Sequence, residues 1–139
     1  MNKKEKYAVI LKTKVIPFVN EMLGIIPTIK NLHWKNEGKA EHEALDRVYY
    51  QITDFIDVLM EQMLSQCGRE CLDYGDIEAI TYDEAYGILD FCDLVDYITK
   101  RMLALRPVLE MLPEMVGALS RLDNSLEYTN LNKYQGTLE

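Results

Sequence analysis

The chain holds two histidines, His33 and His42, nine residues apart, and three carboxylates follow them at helical spacing. His42 and Asp46 form an i, i+4 pair, and so do Asp57 and Glu61. Residues four apart on a helix are neighbours on one face, so each pair presents two metal-competent groups side by side. Imidazole combined with carboxylate is a donor mix expected for iron, with zinc and manganese as competitors.

Helix geometry forbids the simplest use of these pairs. Asp46 and Asp57 lie about 16 Å apart along a helix, and His42 and Asp57 about 22 Å. Metal–ligand bonds are only about 2 Å long. The two pairs therefore cannot share one ion inside a single subunit. Two such helices packed antiparallel about a two-fold axis can share it. His42 and Asp46 of one chain then face Asp57 and Glu61 of the other, symmetry makes two identical sites, and Tyr50 and Thr53 fall near the axis. His33 lies just before the turn that precedes His42, so both histidines meet at one end of the same hairpin. A polar helical face is more often simply solvated. Here Glu43, Arg47, Gln51 and Asp54 supply a wet side already, which leaves the 42–61 stripe free to be an interface.

Four helices are expected to position these groups. Leu11, Val15, Phe18, Met22, Ile25, Ile29 and Leu32 recur with gaps of four and three, the mark of an amphipathic helix. Pro17 and Pro27 lie inside this pattern and predict kinks, or a helix start near Pro17. Gly38 is predicted to end the turn after it as a left-handed cap. A second helix runs from about residue 40 to 66, with a core stripe of Leu45, Val48, Tyr49, Ile52, Ile56, Leu59 and Met63, and Gly68 stops it. A mixed connection over 69–80 carries Gly75. Thr81-x-x-Glu84 reads as a capping box opening a third helix, with Ile88, Cys92, Val95, Ile98, Met102, Leu105 and Leu109 inward and Pro107 disturbing its last turns. Pro113 suits the first turn of a fourth helix, with Val116, Leu119, Leu122 and Leu126 inward; beyond Tyr128 the pattern fades into a polar tail. Strand signals are nearly absent. The fold class expected is all-α, one domain over residues 1–139, a four-helix bundle with one long crossover between the second and third helices.

At these residues a family becomes recognisable. Asn31-Leu32-His33-Trp34 followed by a glycine, then His42-x3-Asp46 and Asp57-x3-Glu61, resembles the ferroxidase signature of the Dps proteins, or mini-ferritins. The likeness runs from Lys30 to Gly68; outside it only the order of helices agrees. It implies a ferritin-like bundle in which His33, His42 and Asp46 of one subunit meet Asp57 and Glu61 of its partner around iron, as one ion or a di-iron pair. It also implies that Trp34 stands near the metal and can take up an oxidising equivalent. The family oxidises Fe(II) with hydrogen peroxide or oxygen, and stores ferric mineral in a hollow dodecamer. Short divergent forms of this kind occur in phage genomes as well as bacteria. Against the family's usual pattern, the interval from His33 to His42 is short, Pro17 and Pro27 are unusual, and no basic tail is present. The rival reading is a catalytically silent bundle, structural or adaptor in role, whose polar stripe is only a dimer interface. Zinc- or manganese-dependent hydrolysis is the weaker third, because no nucleophile or base accompanies the motif.

Bulk properties narrow the partners. A formal charge of −8 and a pI near 4.8 fit the gathering of cations better than the binding of phosphates. Lysines cluster only at positions 3, 4, 6, 12 and 14, so nucleic acid is not an expected partner. Every apolar run is interrupted short of bilayer thickness, and the basic start lacks the apolar stretch and cleavage site of a signal peptide. A cytoplasmic location is expected, bacterial or that of a phage's host. Cys67, Cys71 and Cys92 lack the paired spacing of a disulfide framework and read as reduced, partly buried thiols.

Overall fold

Apolar residues at gaps of three and four lead each helical segment to bury one face, and the four resulting rods pack as a helical bundle. A computed structural model describes residues 1–136; among them no strand occurs. Residues 137–139 of the polar tail lie outside the described residues.

The first rod is longer than the sequence predicts, and its interruptions fall where Pro17 and Pro27 predict kinks. It begins not near Pro17 but at Lys3, where Asn2 Oδ1 caps α1 (Lys3–Ile10) by accepting from Glu5 N at 2.8 Å. A π-helical turn over Leu11–Val15 follows, then α2 (Ile16–Gly24) and α3 (Ile26–Lys35). Pro17 has no N–H, and its ring would strike the carbonyl four residues back. The wider turn, in which Ile16 N–H reaches Leu11 O, relieves that conflict. Pro27 sits at the opening of α3, where a missing donor costs nothing.

Between α3 and α4 (Lys39–Cys67) the chain turns through Asn36 and Gly38 in extended conformation. Gly38 has φ −74°, so the left-handed cap predicted there is corrected: Asn36 Oδ1 accepts from Gly38 N at 2.7 Å and closes the turn instead. Gly68, with φ +96°, does stop α4. The core face of α4 is the predicted stripe with Tyr49 only half-buried and with Ala44, Phe55, Leu64 and Cys67 added.

The segment 68–90 is fastened stepwise along the first rod. Glu70 pairs with Lys4, then Asp73 and Asp76 with Lys12. Buried Asn20 accepts from Glu78 N at 2.8 Å and donates to Asp76 O at 2.9 Å. Gly24 lies against the carbonyl of Ile80 so closely that any Cβ there would sit 2.0 Å from its oxygen. The predicted capping box at Thr81 and Glu84 does not form. Residues Asp83–Gly87 make a 3-10 turn, and α5 (Phe91–Glu110) opens later, at Asp90. There Asp90 Oδ1 accepts from Asp93 N at 2.8 Å and Asp93 Oδ2 from Leu89 N at 3.1 Å. An aspartate at the fourth position thus does the work expected of glutamate. The later start adds Phe91 and Leu94 to the core and leaves Cys92 and Ile88 at its edge.

After a 3-10 turn at Pro113–Met115, α6 (Val116–Gly136) continues past Tyr128, where the sequence pattern fades. Its buried face is Ala118, Leu122, Ser125 and Thr129, with the predicted Leu119 and Leu126 half-buried against the core, whereas Val116 is exposed. Thr129 Oγ1 donates to Ser125 O at 2.6 Å, which satisfies the buried hydroxyl within its own helix. Gln62 of α4 accepts from Ala118 N at 2.8 Å near the start of α6, and Gly136 at its far end packs on the Phe91 ring.

Tyr7 locks the start of the first rod to the α5–α6 corner, donating to the Glu114 carboxylate while its oxygen accepts from Glu114 N at 3.2 Å. Burial, reinforced by the bond to Glu114, pushes its pKa from 10.0 up to about 12. A raised folded-state pKa gives stability that is complete below pH 10 and lost as the pH climbs towards 12. Tyr7→Phe should therefore be less stable than the parent at pH 9, and the gap, about 2–3 kcal/mol at most by linkage, should close over that window. Denaturant titrations of both proteins at a series of alkaline pH values check this.

All three cysteines are free. Burial above all holds the Cys67 thiol up at about 11, so it is not a nucleophile at neutral pH. No helix among the described residues is long and apolar enough to cross a membrane.

Candidate metal centre

The end of α3 and the start of α4 bring the two histidines into mutual contact. Their rings stack with centroids 3.7 Å apart and planes inclined by 24°. His33 Nδ1 lies 3.1 Å from the carbonyl oxygen of His42, and His42 Nδ1 lies 3.0 Å from that of His33. A carbonyl oxygen only accepts, so each Nδ1 carries the proton and donates it. In the neutral imidazole this leaves the lone pair on Nε2, the arrangement found where a second hydrogen bond orients a metal-ligating histidine. Sequence reasoning placed both residues at one end of a hairpin; the reciprocal clasp comes from the turn through Asn36 and Gly38.

His42, Asp46, Asp57 and Glu61 are all exposed on one face of α4, and His33 is half-buried beside His42. Among the described residues, ion pairs engage other carboxylates, such as Asp54 with Arg121, Asp96 with Lys133 and Asp123 with Arg106, and none engages Asp46, Asp57 or Glu61. Within one chain no three His, Cys, Asp or Glu side chains gather to hold an ion, again among the described residues. One protomer thus brings His33 and His42 together at one end of the stripe, with Asp46 a turn away, and carries Asp57 and Glu61 far down the same helix. The donor set suits a divalent cation of borderline or hard character: imidazole Nε2 atoms, and carboxylates that no cationic side chain pairs with among the described residues.

Tyr50, midway along the stripe, is exposed and braced edge-on by Tyr49, whose ring carries Lys30 Nζ 4.0 Å from its centroid. Trp34 is 75% exposed at the end of α3. The face assigned to solvent is less open than the sequence predicts: Arg47, Gln51 and Asp54 line a groove of ≈ 620 Å³ against Arg121 and Tyr128 of α6.

One feature passed over by sequence reasoning lies beside the acidic half of the stripe. An apolar groove of ≈ 270 Å³ opens next to Asp57, between α2, α4 and the 68–90 segment. Its signal was faint, because Leu72 and Ile77 belong to a stretch with no periodicity. A second is Glu21, buried in the apolar face of α2, where it accepts from Tyr97 Oη at 2.5 Å and pairs with Arg101. With its charge matched and its oxygen bonded, that carboxylate is committed to the core. No protein-family model, no curated protein and no solved structure matches this chain.

Proposed function

We propose that two copies of this chain bind iron between their α4 helices and oxidise Fe(II), as mini-ferritins do. The observation that carries the reading is the reciprocal histidine clasp, which leaves Nε2 of each ring as its proton acceptor beside the acidic stripe of α4. The α4 stripe is self-complementary about a point between Gln51 and Ile52. An antiparallel partner sets Tyr50 against Thr53, Asp46 against Asp57 and His42 against Glu61. Bringing Asp46 and Asp57 of two chains together is repulsive unless a cation lies between them, so dimer and metal support each other.

The fold supports the same reading at its finer level. The 68–90 segment follows the first rod from Lys4 to Gly24, and Gln62 near the end of α4 meets the start of α6. These contacts favour parallel α4 and α5 joined by one long crossover, the ferritin-like arrangement. Fe(II) is the substrate here. With hydrogen peroxide as oxidant, two Fe(II) each give up one electron, the O–O bond breaks, two protons are taken up and two waters leave. Asp46, Asp57 and Glu61 favour the harder Fe(III) product, and His33 and His42 hold the ion while leaving room for the oxidant.

Thermal unfolding with and without Fe(II) under anaerobic conditions tests binding. At free iron about a hundred-fold above Kd, the native state should gain about 2.7 kcal/mol by mass action, and the protein should retain iron after desalting. A silent adaptor would show neither. A catalytically active dimer should also consume peroxide in proportion to the Fe(II) supplied.

A further inference from the structure

We infer that Cys67 and Cys71 are a peroxide-reactive thiol pair that closes to an intramolecular disulfide at the end of α4. The inference rests on neither the dimer nor the iron site. Gly68, with φ +96°, turns the chain out of α4, and the 3-10 turn over Arg69–Cys71 folds back over the last helical residue. Cys71 Sγ donates to the carbonyl oxygen of Cys67 at 3.0 Å, and Cys67 Sγ donates to that of Met63 at 3.3 Å. A carbonyl oxygen is about 2.4 Å from its own Cα, so Cys71 Sγ stands within about 5.4 Å of the Cys67 Cα. Burial raises the Cys67 pKa most, and a hydrogen bond with the Cys71 thiol comes next, as expected of neighbouring sulfurs.

Exposure divides the roles. Cys67 is fully buried, whereas Cys71 is half-buried at the edge of the core, so peroxide meets Cys71 first. The Cys71 sulfur attacks one peroxide oxygen, the O–O bond breaks, and a sulfenic acid and one water form. The Cys67 sulfur then attacks Cys71 Sγ. The S–S bond forms, the S–O bond breaks, and the departing hydroxide takes the Cys67 proton and leaves as a second water. Two thiols thus give up two electrons and two protons, and one peroxide becomes two waters. A thiol held this close acts as an intramolecular reactant, which favours the disulfide over further oxidation to sulfinic acid. Burial suits Cys67 to the second step, because it shields the sulfur from oxidant in solution until its neighbour carries a leaving group.

Peptide mapping tests the pair directly. Reduced protein, kept free of iron by a chelator, is treated with hydrogen peroxide, alkylated, and cleaved after arginine and glutamate. Arg69 and Glu70 separate Cys67 from Cys71, and Glu78 and Glu84 separate Cys71 from Cys92, so each cysteine falls in its own peptide. The expected result is a joined Cys67–Cys71 peptide pair, lighter by two hydrogens than its parts and released by dithiothreitol. In Cys67→Ser, sulfenic acid trapped at Cys71 with dimedone should rise at least about ten-fold over the parent. In Cys71→Ser, Cys67 should remain a thiol, and its oxidation there would overturn the order of the two steps. Both thiols intact in the treated parent, sulfinic acid at Cys71 beside a free Cys67, or a disulfide that runs between chains on a non-reducing gel overturns the pair. None of these outcomes bears on the ferroxidase reading, which stands or falls on iron.

Discussion

Two variants that each lack one half of the site should be inert alone and active when mixed. His42→Ala with Asp46→Ala removes the first half; Asp57→Ala with Glu61→Ala removes the second. Each should cut peroxide-driven Fe(II) oxidation at least about 100-fold, since first ligands are lost rather than supporting groups. All four side chains are exposed, so the melting temperature should hardly move. After subunit exchange, half the dimers are mixed. In each of these one site has lost every substituted ligand and the other has regained all of them. About a quarter of the parental activity should return, from the statistics of a two-fold dimer. Helix rise is what makes this outcome diagnostic, because a site built within one chain cannot be rescued by a second defective copy. If mass measurements show mixed dimers and the rate stays at zero, the shared site is wrong.

The largest loss of stability is expected far from that site, at Glu21. Its carboxylate is buried, takes the Tyr97 hydroxyl at 2.5 Å, and faces Arg101, whose Nη2 also reaches Glu84 at 3.0 Å. Arg101 Nε lies against Glu21 within ion-pair distance but without the alignment of a hydrogen bond, so charge more than direction holds the pair. The Tyr82 and Tyr97 rings flank the guanidinium at 5.8 and 5.4 Å. Burial, and then the bond to Glu21, drives the Tyr97 pKa upward, so this contribution too is complete at neutral pH and fades in strong alkali. Glu21→Ala leaves a poorly hydrated cation and a buried hydroxyl without their acceptor. The expected cost is about 3–5 kcal/mol, which lowers Tm by about 10–20 °C for a chain of this size. Replacing the group together, with Glu21→Leu, Tyr97→Phe and Arg101→Met, should recover most of the loss, because an apolar cluster of similar volume has no desolvation to offset. Below the melting range Glu21→Ala should oxidise iron at the parental rate. A melting temperature within a few degrees of the parent's would mean that Glu84 and solvent suffice for Arg101.

Legibility followed the kind of interaction. The α4 core stripe and its end at Gly68 were readable because a 3.6-residue period and a glycine are local signals. The start of α5 was misread because threonine-x-x-glutamate at 81–84 and aspartate-x-x-aspartate at 90–93 are both plausible openings. Only the fastening of the segment up to Ile80 along α2 leaves the second as the place to begin. The inner face of α6 was read only in part, for a different reason: Leu119, Leu122 and Leu126 do meet the core, but Val116 does not and the polar members of the face were missed. Ser125 and Thr129 are polar in type yet buried in fact, and a hydrophobic pattern cannot find a residue such as Thr129, whose hydroxyl bonds its own helix.

The spacing of the two histidines and three carboxylates was legible in the sequence alone, and so was the fact that the two halves of the stripe cannot share one ion within a single chain, because the rise of a helix is fixed whatever surrounds it. Tertiary structure decided the rest. It turned the α3–α4 connection so that each imidazole holds the other's carbonyl, it buried Glu21 against Arg101, and it opened a groove beside Asp57. Those outcomes depend on atoms distant in the chain meeting in space, and no spacing rule along one helix encodes them.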